Sequence, residues 1–212
     1  MKSILILLLL ILQNAPIELV KANVDVKSDT YEKTLNGYKA SEMWGDWSMQ
    51  IGDPISSPSK SNNYSVKNLV DYDLNTAWVP KYTNGIGDYF GFKFHFPSNT
   101  AYAGAYQFYG VCNLFNGYCK SLNIWRENSR VKTLEVYYNN HFICKVQLLD
   151  TWHFQSFDIS KYFVNKRDKK YLDAKYEIKE GDELKFKITE VYPGSKYNDV
   201  AVSGFYCEGG AN

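Results

Sequence analysis

The composition of this 212-residue chain excludes several classes of partner before any motif is considered. Lysine and arginine number 24, aspartate and glutamate number 23, and the formal net charge is +1. Without a charge excess, the chain has no electrostatic basis for binding nucleic acid, an anionic membrane surface or a polyacidic partner. The 18 Tyr, 12 Phe and 5 Trp instead favour a β-rich protein, and their faces also stack on sugar rings.

The N-terminus has the parts of a secretory signal peptide. A basic start at Lys2 is followed by an apolar run, Ile4–Leu12, and by the small residue Ala22. This pattern predicts cleavage after Ala22, which leaves a formally neutral protein in the periplasm, at the cell surface or in the medium. An uncleaved anchor is the alternative, although the run is shorter than a bilayer requires, and no later segment approaches about 18 apolar residues.

Residues 23–64 read as a loop-rich N-terminal extension that precedes a domain at 65–212. The stretch Gly52–Ser65, "GDPISSPSKSNNYS", is rich in Ser, Asn and Pro and predicts a long surface loop or linker. Trp44 and Trp47 lie in the same extension. They are expected either to cap the domain or to add to its site.

From Val66 onward, short runs typical of strands recur. They are Asp88–Phe96, Ala105–Asn113, Val131–Leu148, Trp152–Ile159 and Glu183–Tyr192. In the first run every second residue is phenylalanine, which is the period of a strand with one buried face. The core is therefore predicted to contain Phe90, Phe92, Phe94 and Phe96.

Turn residues connect these runs and indicate the fold class. Asn139 and Asn140 suit the left-handed backbone of a two-residue hairpin, which predicts a hairpin over Leu134–Val146. Gly181 in "KEGD" predicts a second turn. Many strands at short spacing, without strand–helix alternation, predict an all-β antiparallel sandwich. The charged segment Asn165–Tyr176 is expected to be a solvated loop.

Four cysteines suit an exported protein in an oxidising compartment. Cys112 and Cys119 flank a short loop, so one predicted pairing joins them and leaves Cys144 with Cys207. The alternative is that some of the four are buried free thiols. Metal binding by these thiols is not favoured, because none of them has the C-x₂-C spacing.

The sequence offers no catalytic constellation. His95, His141 and His153 are scattered along predicted strands, and no zinc-protease, nucleophile-elbow or phosphate-loop motif occurs. We therefore predict a protein that is not an enzyme.

Oxygen-bearing side chains cluster in "VDYDLNTAWV", Val70–Val79. They are Asp71, Asp73, Asn75 and Thr76. Alternating oxygen donors suit a hard cation such as Ca²⁺. They equally suit an Asx-type turn, in which the side chains accept hydrogen bonds from backbone N–H groups.

A family resemblance connects these segments. The stretches "YDLNTAWV", "GIGDYFGFKF", "NGYCKS", "NSRVKTLEV" and "EVYPGSKYNDVAVS" occur in this order between Ser65 and Cys207. In order and spacing they resemble the discoidin-like accessory module of bacterial NAD glycohydrolases, an F5/8 type C-like domain described as glycan-binding or as a translocation domain. The resemblance implies a galactose-binding-like jelly-roll β-sandwich that binds a glycan through loops at one end. It does not imply NAD hydrolysis.

The resemblance also implies a structural Ca²⁺ at Asp71, Asp73, Asn75 and Thr76. In such modules a glutamate near the last strand completes the cation site. Here Gly204 stands where that glutamate is expected, and Glu208 lies too far along the chain to replace it. The sequence therefore leaves calcium open.

Glycan binding requires an aromatic face and polar groups that reach hydroxyls. The candidates in matching loops are Trp78, Asn116, Tyr118, Lys120, Trp125, Asn128, Arg130, Tyr192, Lys196 and Asp199. Arg130 offers a planar fork for two hydroxyls or for the carboxylate of an acidic sugar. Trp78 is expected to be buried in the core rather than to stack on a sugar. For Lys120 and Arg130, the alternative to ligand binding is that they are ordinary solvated charges on the surface.

Two classes of function follow. The first is an exported module whose partner is a glycan. The second is a protein-interaction or translocation-assisting sandwich whose loops contact another polypeptide. In both, the loop after Tyr192 is predicted to lie at the same end as Asn116–Lys120, with Tyr192, Lys196 and Asp199 forming one wall of the site.

Overall fold

The computed structural model describes residues 17–24, 52–82, 84–95, 106–165 and 169–211. The predictions for Ile4–Leu12, for Trp44 and Trp47 and for Phe96 lie outside these residues.

The described residues form two packed sheets, which confirms the all-β sandwich. The strands are β1 (Leu19–Lys21), β2 (Gly52–Ser56), β3 (Tyr89–Phe94), β4 (Tyr106–Asn116), β5 (Arg130–Tyr138), β6 (His141–Gln147), β7 (Phe154–Asp158), β8 (Glu183–Tyr192) and β9 (Val202–Ala211). One sheet has the order β1-β6-β5-β8-β3-β2 and the other β7-β4-β9. Between these described strands, the pairings are antiparallel except that of β1 with β6.

Helical structure is short. The helix α1 spans Leu122–Glu127, and 3₁₀ turns span Asn62–Tyr64, Val66–Leu69 and Ser160–Tyr162. Within the described ranges, no helix has the length and apolar character needed to cross a membrane.

The aromatic alternation of β3 fills the space between the sheets, as predicted. Phe90, Phe92 and Phe94 are buried while Lys93 is exposed. The ring of Phe205 on β9 lies 4.9 Å from Phe90 and 4.8 Å from Phe186, centroid to centroid. Because β9 belongs to the smaller sheet, these contacts join the two layers.

Both predicted turns are present. Asn139 and Asn140 adopt φ values of 46° and 66° between β5 and β6, which confirms the hairpin. Gly181 adopts φ 81° just before β8. These turns lie where β5 ends and β8 begins, and we call this side of the sandwich the turn end.

The prediction of a loop over Gly52–Ser65 is wrong in its first part. Residues Gly52–Ser56 form β2, which pairs with β3 from Gly52 opposite Phe94 to Ser56 opposite Phe90. Pro54 is compatible with this position because β2 is an edge strand and needs to donate on one side only. The sheet therefore includes residues that precede position 65.

Residues 17–24, which we call the edge segment, connect the two sheets. Leu19–Lys21 pairs in parallel with Lys145–Gln147, and Ala22 is buried in the main core. The backbone N–H of Asn23 donates to Ser156 O over 2.8 Å, and the N–H of Ser156 donates back to Asn23 O over 2.9 Å. Cleavage after Ala22 would remove this strand, whereas the signal peptide itself stays a prediction.

Candidate binding site at the loop end

Four strands begin or end at the side of the sandwich opposite the turn end. β4 ends at Asn116 opposite Val202, where β9 begins, and β5 begins at Arg130 opposite Tyr192, where β8 ends. Their connections, residues 117–129 and 193–201, therefore meet there. We call this side the loop end. The predicted placement of the 193–200 loop beside Asn116–Lys120 agrees with this arrangement.

Arg130 lies beneath the loops and is not open to a ligand. Its side chain is 8% exposed, and its Nε and Nη2 each donate to a different Asp150 oxygen over 3.0 Å. Nη1 donates to Asn128 O over 2.9 Å and to Pro193 O over 3.2 Å. The planar fork predicted to hold a sugar instead ties the two loops together.

Trp125 stacks on this guanidinium from α1. Its ring centroid lies 4.5 Å from Arg130 Cζ, a cation–π contact, and the residue is only 9% exposed. Its Nε1 donates to Asn116 O over 2.7 Å. A Cβ at Gly117 would lie 2.6 Å from Trp125 Cδ1, so this glycine allows the close approach. Trp125 is thus a buried support rather than an exposed platform.

Asn116 is equally internal. It is fully buried, its Nδ2 donates to Val131 O over 2.7 Å, and its Oδ1 accepts from Val131 N over 2.9 Å. This reciprocal pair fixes the end of β4 against β5. Because the side chain is fully buried, its remaining donor and acceptor capacity is out of reach of a ligand.

Three more predicted residues are engaged in contacts within the protein. Trp78 is fully buried in the main core. Asn128 Nδ2 donates to Ile124 O over 2.8 Å at the end of α1, and the Tyr192 hydroxyl donates to Leu148 O over 3.0 Å. Trp78 has no accessible surface for a ligand. Asn128 holds the backbone of the adjacent helix, and Tyr192 holds the backbone of a segment 44 positions away.

Tyr118 and Lys120 lie nearer the surface. The Tyr118 hydroxyl donates to Asn75 O over 3.0 Å, and its ring meets the edge of Tyr64 at 6.4 Å. Burial raises the pKa of this phenol, with smaller contributions from Tyr64 and Asp73. Lys120 is exposed.

The residues Asp71–Thr76 form an Asx-type turn, which was one of the two predicted alternatives; the other was a calcium loop. Asp71 Oδ1 accepts from the backbone N–H of Asp73, and Asp73 Oδ1 accepts from that of Asn75, each over 2.9 Å. Thr76 Oγ1 donates to Asp71 Oδ2 over 2.6 Å. Three carboxylate oxygens thus already accept hydrogen bonds within the loop, the arrangement of an Asx turn.

Glu208, the glutamate near the last strand, has a partner of its own. Its side chain accepts a hydrogen bond from Asn113 Nδ2 over 3.1 Å. Within the described residues, no group of three His, Cys, Asp or Glu side chains is placed to hold a metal ion. This donor set fits an Asx turn better than a calcium loop.

An exposed surface overlies the buried support, and we call it the rim. It consists of Lys60, Tyr82, Lys196, Tyr197 and Asp199. Tyr82 is 64% and Tyr197 43% exposed. Lys196 and Asp199 were predicted, whereas Lys60, Tyr82 and Tyr197 were missed. A tyrosine inside the turn-rich stretch "YPGSKYNDV" was a usable signal for Tyr197.

Backbone contacts fix the part of the rim that follows β8. The N–H groups of Lys196 and Tyr197 donate to Glu127 O over 3.1 Å and 2.8 Å. A Cβ at Gly194 would lie 2.4 Å from the same carbonyl oxygen. Only a glycine lets the loop lie this close to α1, and Tyr197 is held in place as a result.

The remaining rim residues are brought in by two further contacts. Lys60 forms an ion pair with Asp199. The N–H of Lys81 donates to Pro58 O over 2.8 Å, and a Cβ at Gly85 would lie 3.0 Å from Val200 Cβ. The loop that carries Tyr82 therefore lies against the 193–201 loop.

A cleft of about 260 Å³ lies elsewhere, beside the edge segment. It is lined by Glu18, Val20, Asp158, Ser160, Lys161 and Tyr171. None of these residues belongs to the loop end, so this cleft and the predicted site do not coincide.

The two-sheet architecture, with its loops gathered at one end, defines an F5/8 type C-like β-sandwich. The family model for the NAD glycohydrolase translocation F5/8 type C domain matches residues 47–208. The chain belongs to this family, which is named for a translocation domain and not for a catalytic one. No curated protein sequence matches the chain.

One solved structure superposes well enough to show the same fold, and a second superposes less closely. The CBM32-1 and CBM32-2 domains of Clostridium perfringens ZmpB superpose with a TM-score of 0.51 at 11% identity, over 93% of this chain and 43% of that one. The chain thus spans less than half of that structure. CpGH89CBM32-4 from the same organism, in complex with a GlcNAc-α-1,4-galactose, gives a TM-score of 0.40 at 12% identity, over 74% of this chain and 90% of that one.

Proposed function

We propose that the protein is an exported, non-catalytic module that binds a glycan through the rim at the loop end. The observation that supports this most is the pairing of an exposed tyrosine, Tyr197, with charged hydrogen-bonding groups on a loop fixed to α1. A sugar ring presents an apolar face and a border of hydroxyls. Binding it requires a flat aromatic surface beside side chains that donate and accept.

The rim offers both halves of that chemistry. Tyr197 presents its ring, and Lys196 Nζ lies 5.0 Å from the ring centroid. The same lysine Nζ lies 3.8 Å from Glu127 Oε1; the lysine side chain is largely exposed and that of Glu127 is partly exposed. Exposed contacts of this kind are weak, so a ligand hydroxyl can replace them at little cost.

The charge of the rim favours a neutral or acidic sugar. Lys60, Lys81 and Lys196 lie in or beside it, and Asp199 is already paired with Lys60. With Arg130 committed to Asp150, recognition of a carboxylate falls to these lysines. They act as point charges without the two-pronged geometry of a guanidinium.

A glycan array followed by calorimetric titration of the strongest sugar tests the proposal. Tyr197→Ala is expected to weaken binding about tenfold or more, which corresponds to about 1.4 kcal/mol. Tyr171→Ala is the matched control, because Tyr171 is 42% exposed but lines the cleft beside the edge segment. Running the array with and without a chelator tests the calcium expectation at the same time.

The outcomes separate clearly. Equal losses in the two variants would mean that the rim is not the site. Loss in Tyr171→Ala alone would move the site to the cleft. An array with no binding at all would remove the glycan proposal.

The name of the family favours a second candidate, a sandwich that assists translocation by binding another polypeptide. The same rim would serve, because exposed tyrosines are also enriched among the residues that dominate binding at protein interfaces. A reproducible protein partner whose binding is weakened by Tyr197→Ala, without any glycan signal, would support this candidate over the first.

A further inference from the structure

The structure pairs the cysteines differently from the sequence-based expectation. Cys112 on β4 lies directly opposite Cys207 on β9 in the antiparallel register. Their Sγ atoms are 2.6 Å apart, and all four cysteines are free thiols here. The expected neighbours Cys112 and Cys119 belong to different hydrophobic clusters.

The other two thiols occupy separate environments. Cys119 Sγ lies 3.8 Å from Asn116 O and 3.7 Å from Gly117 O, at the loop end. Cys144 on β6 interacts with the hydroxyl of Tyr162. The described residues therefore contain one adjacent pair of thiols, Cys112 and Cys207, and two thiols that are each apart from the other cysteines, Cys119 and Cys144.

The geometry of Cys112 and Cys207 is that of a pair ready to bond. Directly opposed residues in an antiparallel sheet have Cβ atoms about 4.5–5.5 Å apart, close to the spacing that a disulfide needs. Their sulfur atoms already lie nearer than two nonbonded sulfur atoms pack. A shift of a few tenths of an ångström brings them to the bond length of about 2.0 Å.

We propose that Cys112 and Cys207 form a disulfide that joins the central and C-terminal strands of the smaller sheet, while Cys119 and Cys144 stay reduced. The two thiols lose two protons and two electrons as the S–S bond forms. The oxidant is a disulfide, either of a thiol oxidoreductase in the export compartment or of a small molecule such as oxidised glutathione. It is reduced to two thiols in exchange.

Burial determines when this bond forms. Both cysteines are buried in the core, and desolvation, followed by the contact with Cys207, raises the pKa of Cys112. A buried protonated thiol reacts slowly, so exchange takes place while the chain folds and before the sandwich closes. The bond then encloses a long loop, because the two residues are 95 positions apart.

Non-reducing peptide mapping of the full chain, refolded with reduced and oxidised glutathione, tests the proposal directly. We expect one cross-linked peptide pair that contains Cys112 and Cys207, and two titratable thiols per chain in denaturant. We also expect reduction to lower the Tm by roughly 10 °C, because the bond restricts the unfolded chain.

Paired variants make the result specific. Cys119→Ala with Cys144→Ala should keep the cross-link and the response to reductant. Cys112→Ala with Cys207→Ala should lose both and keep two thiols. Four thiols after oxidative refolding, or a cross-link that includes Cys119 or Cys144, would overturn the proposal. Mapping the unchanged chain gives this answer even if a variant fails to fold.

Discussion

The two ends of the sandwich are built in different ways. At the turn end, Asn139-Asn140 and Gly181 reverse the chain within a few residues. The Asp182 carboxylate accepts hydrogen bonds there from Tyr138, Asn139 and the N–H of Lys179. At the loop end, long connections are supported from below by the Trp125–Arg130 stack. Their upper surface leaves tyrosines exposed.

This difference shows what each end is suited to do. At the turn end the polar groups stabilise the turns. The Asp182 carboxylate already accepts three hydrogen bonds from within the protein. The loop end separates the two tasks: buried side chains fix the loops and exposed ones remain available. A binding surface on mobile loops would lose affinity to ordering, and a support of this kind reduces that loss.

Removing the support should give the largest effect. Arg130→Ala deletes the pair of bonds to Asp150, the bonds to Asn128 and Pro193 and the stack on Trp125. We expect the free energy of unfolding to fall by about 2–4 kcal/mol, measured by urea denaturation.

The exposed neighbour Arg126 supplies the control. Arg126→Ala should change stability by less than about 0.5 kcal/mol. A change below about 1 kcal/mol in Arg130→Ala would contradict the description of Arg130 as the support of the loop end. It would return this residue to the list of ligand-binding candidates.

The edge segment should give the next largest effect, because it lies along the sheets and belongs to neither end. In the uncleaved full chain, Ala22→Asp places a carboxylate in the core position of Ala22, and we expect the free energy of unfolding to fall by about 1–3 kcal/mol. Lys21→Asp, at the exposed neighbour, is the control. Glycan binding by the rim should be unchanged after correction for the folded fraction. Equal stability of both variants would mean that the strand contributes nothing.

The sequence was sufficient for the fold and for the turns. Alternating phenylalanines and paired asparagines encode local geometry, which neighbouring residues alone determine. The prediction was wrong at Gly52–Ser56. Ser and Pro are common in loops, but they are also tolerated in an edge strand, which is hydrogen-bonded on one side only.

The sequence alone could not distinguish the exposed residues of the candidate site from the buried residues that support it. Arg130, Trp125 and Asn116 have the chemistry of sugar-binding residues, and only the structure reveals that their partners are Asp150, Arg130 and the backbone of Val131. Composition identifies which side chains can bind. Whether they face solvent depends on contacts between segments far apart in the chain, and the same limit applies to the pairing of the cysteines.

The smallest effect belongs to Asp182 at the turn end. Burial alone would raise the pKa of its carboxyl, but the hydrogen bonds from Tyr138, Asn139 and Lys179 outweigh burial and hold the pKa below its ordinary value. The ionised form therefore stabilises the fold at pH values above the unfolded pKa of about 3.9, and this contribution disappears as the pH falls through the lower folded value. Because the group is only partly buried, we expect Asp182→Asn to cost only about 0.5–1 kcal/mol at pH 7. The difference in stability from the unchanged chain should shrink toward pH 3, as measured by thermal unfolding between pH 7 and pH 3. The control is Asp173→Asn, in an exposed position, whose stability should follow that of the unchanged chain at each pH. A pH-independent difference would mean that Asp182 acts through shape and not through charge. The turn end would then be closed by packing alone.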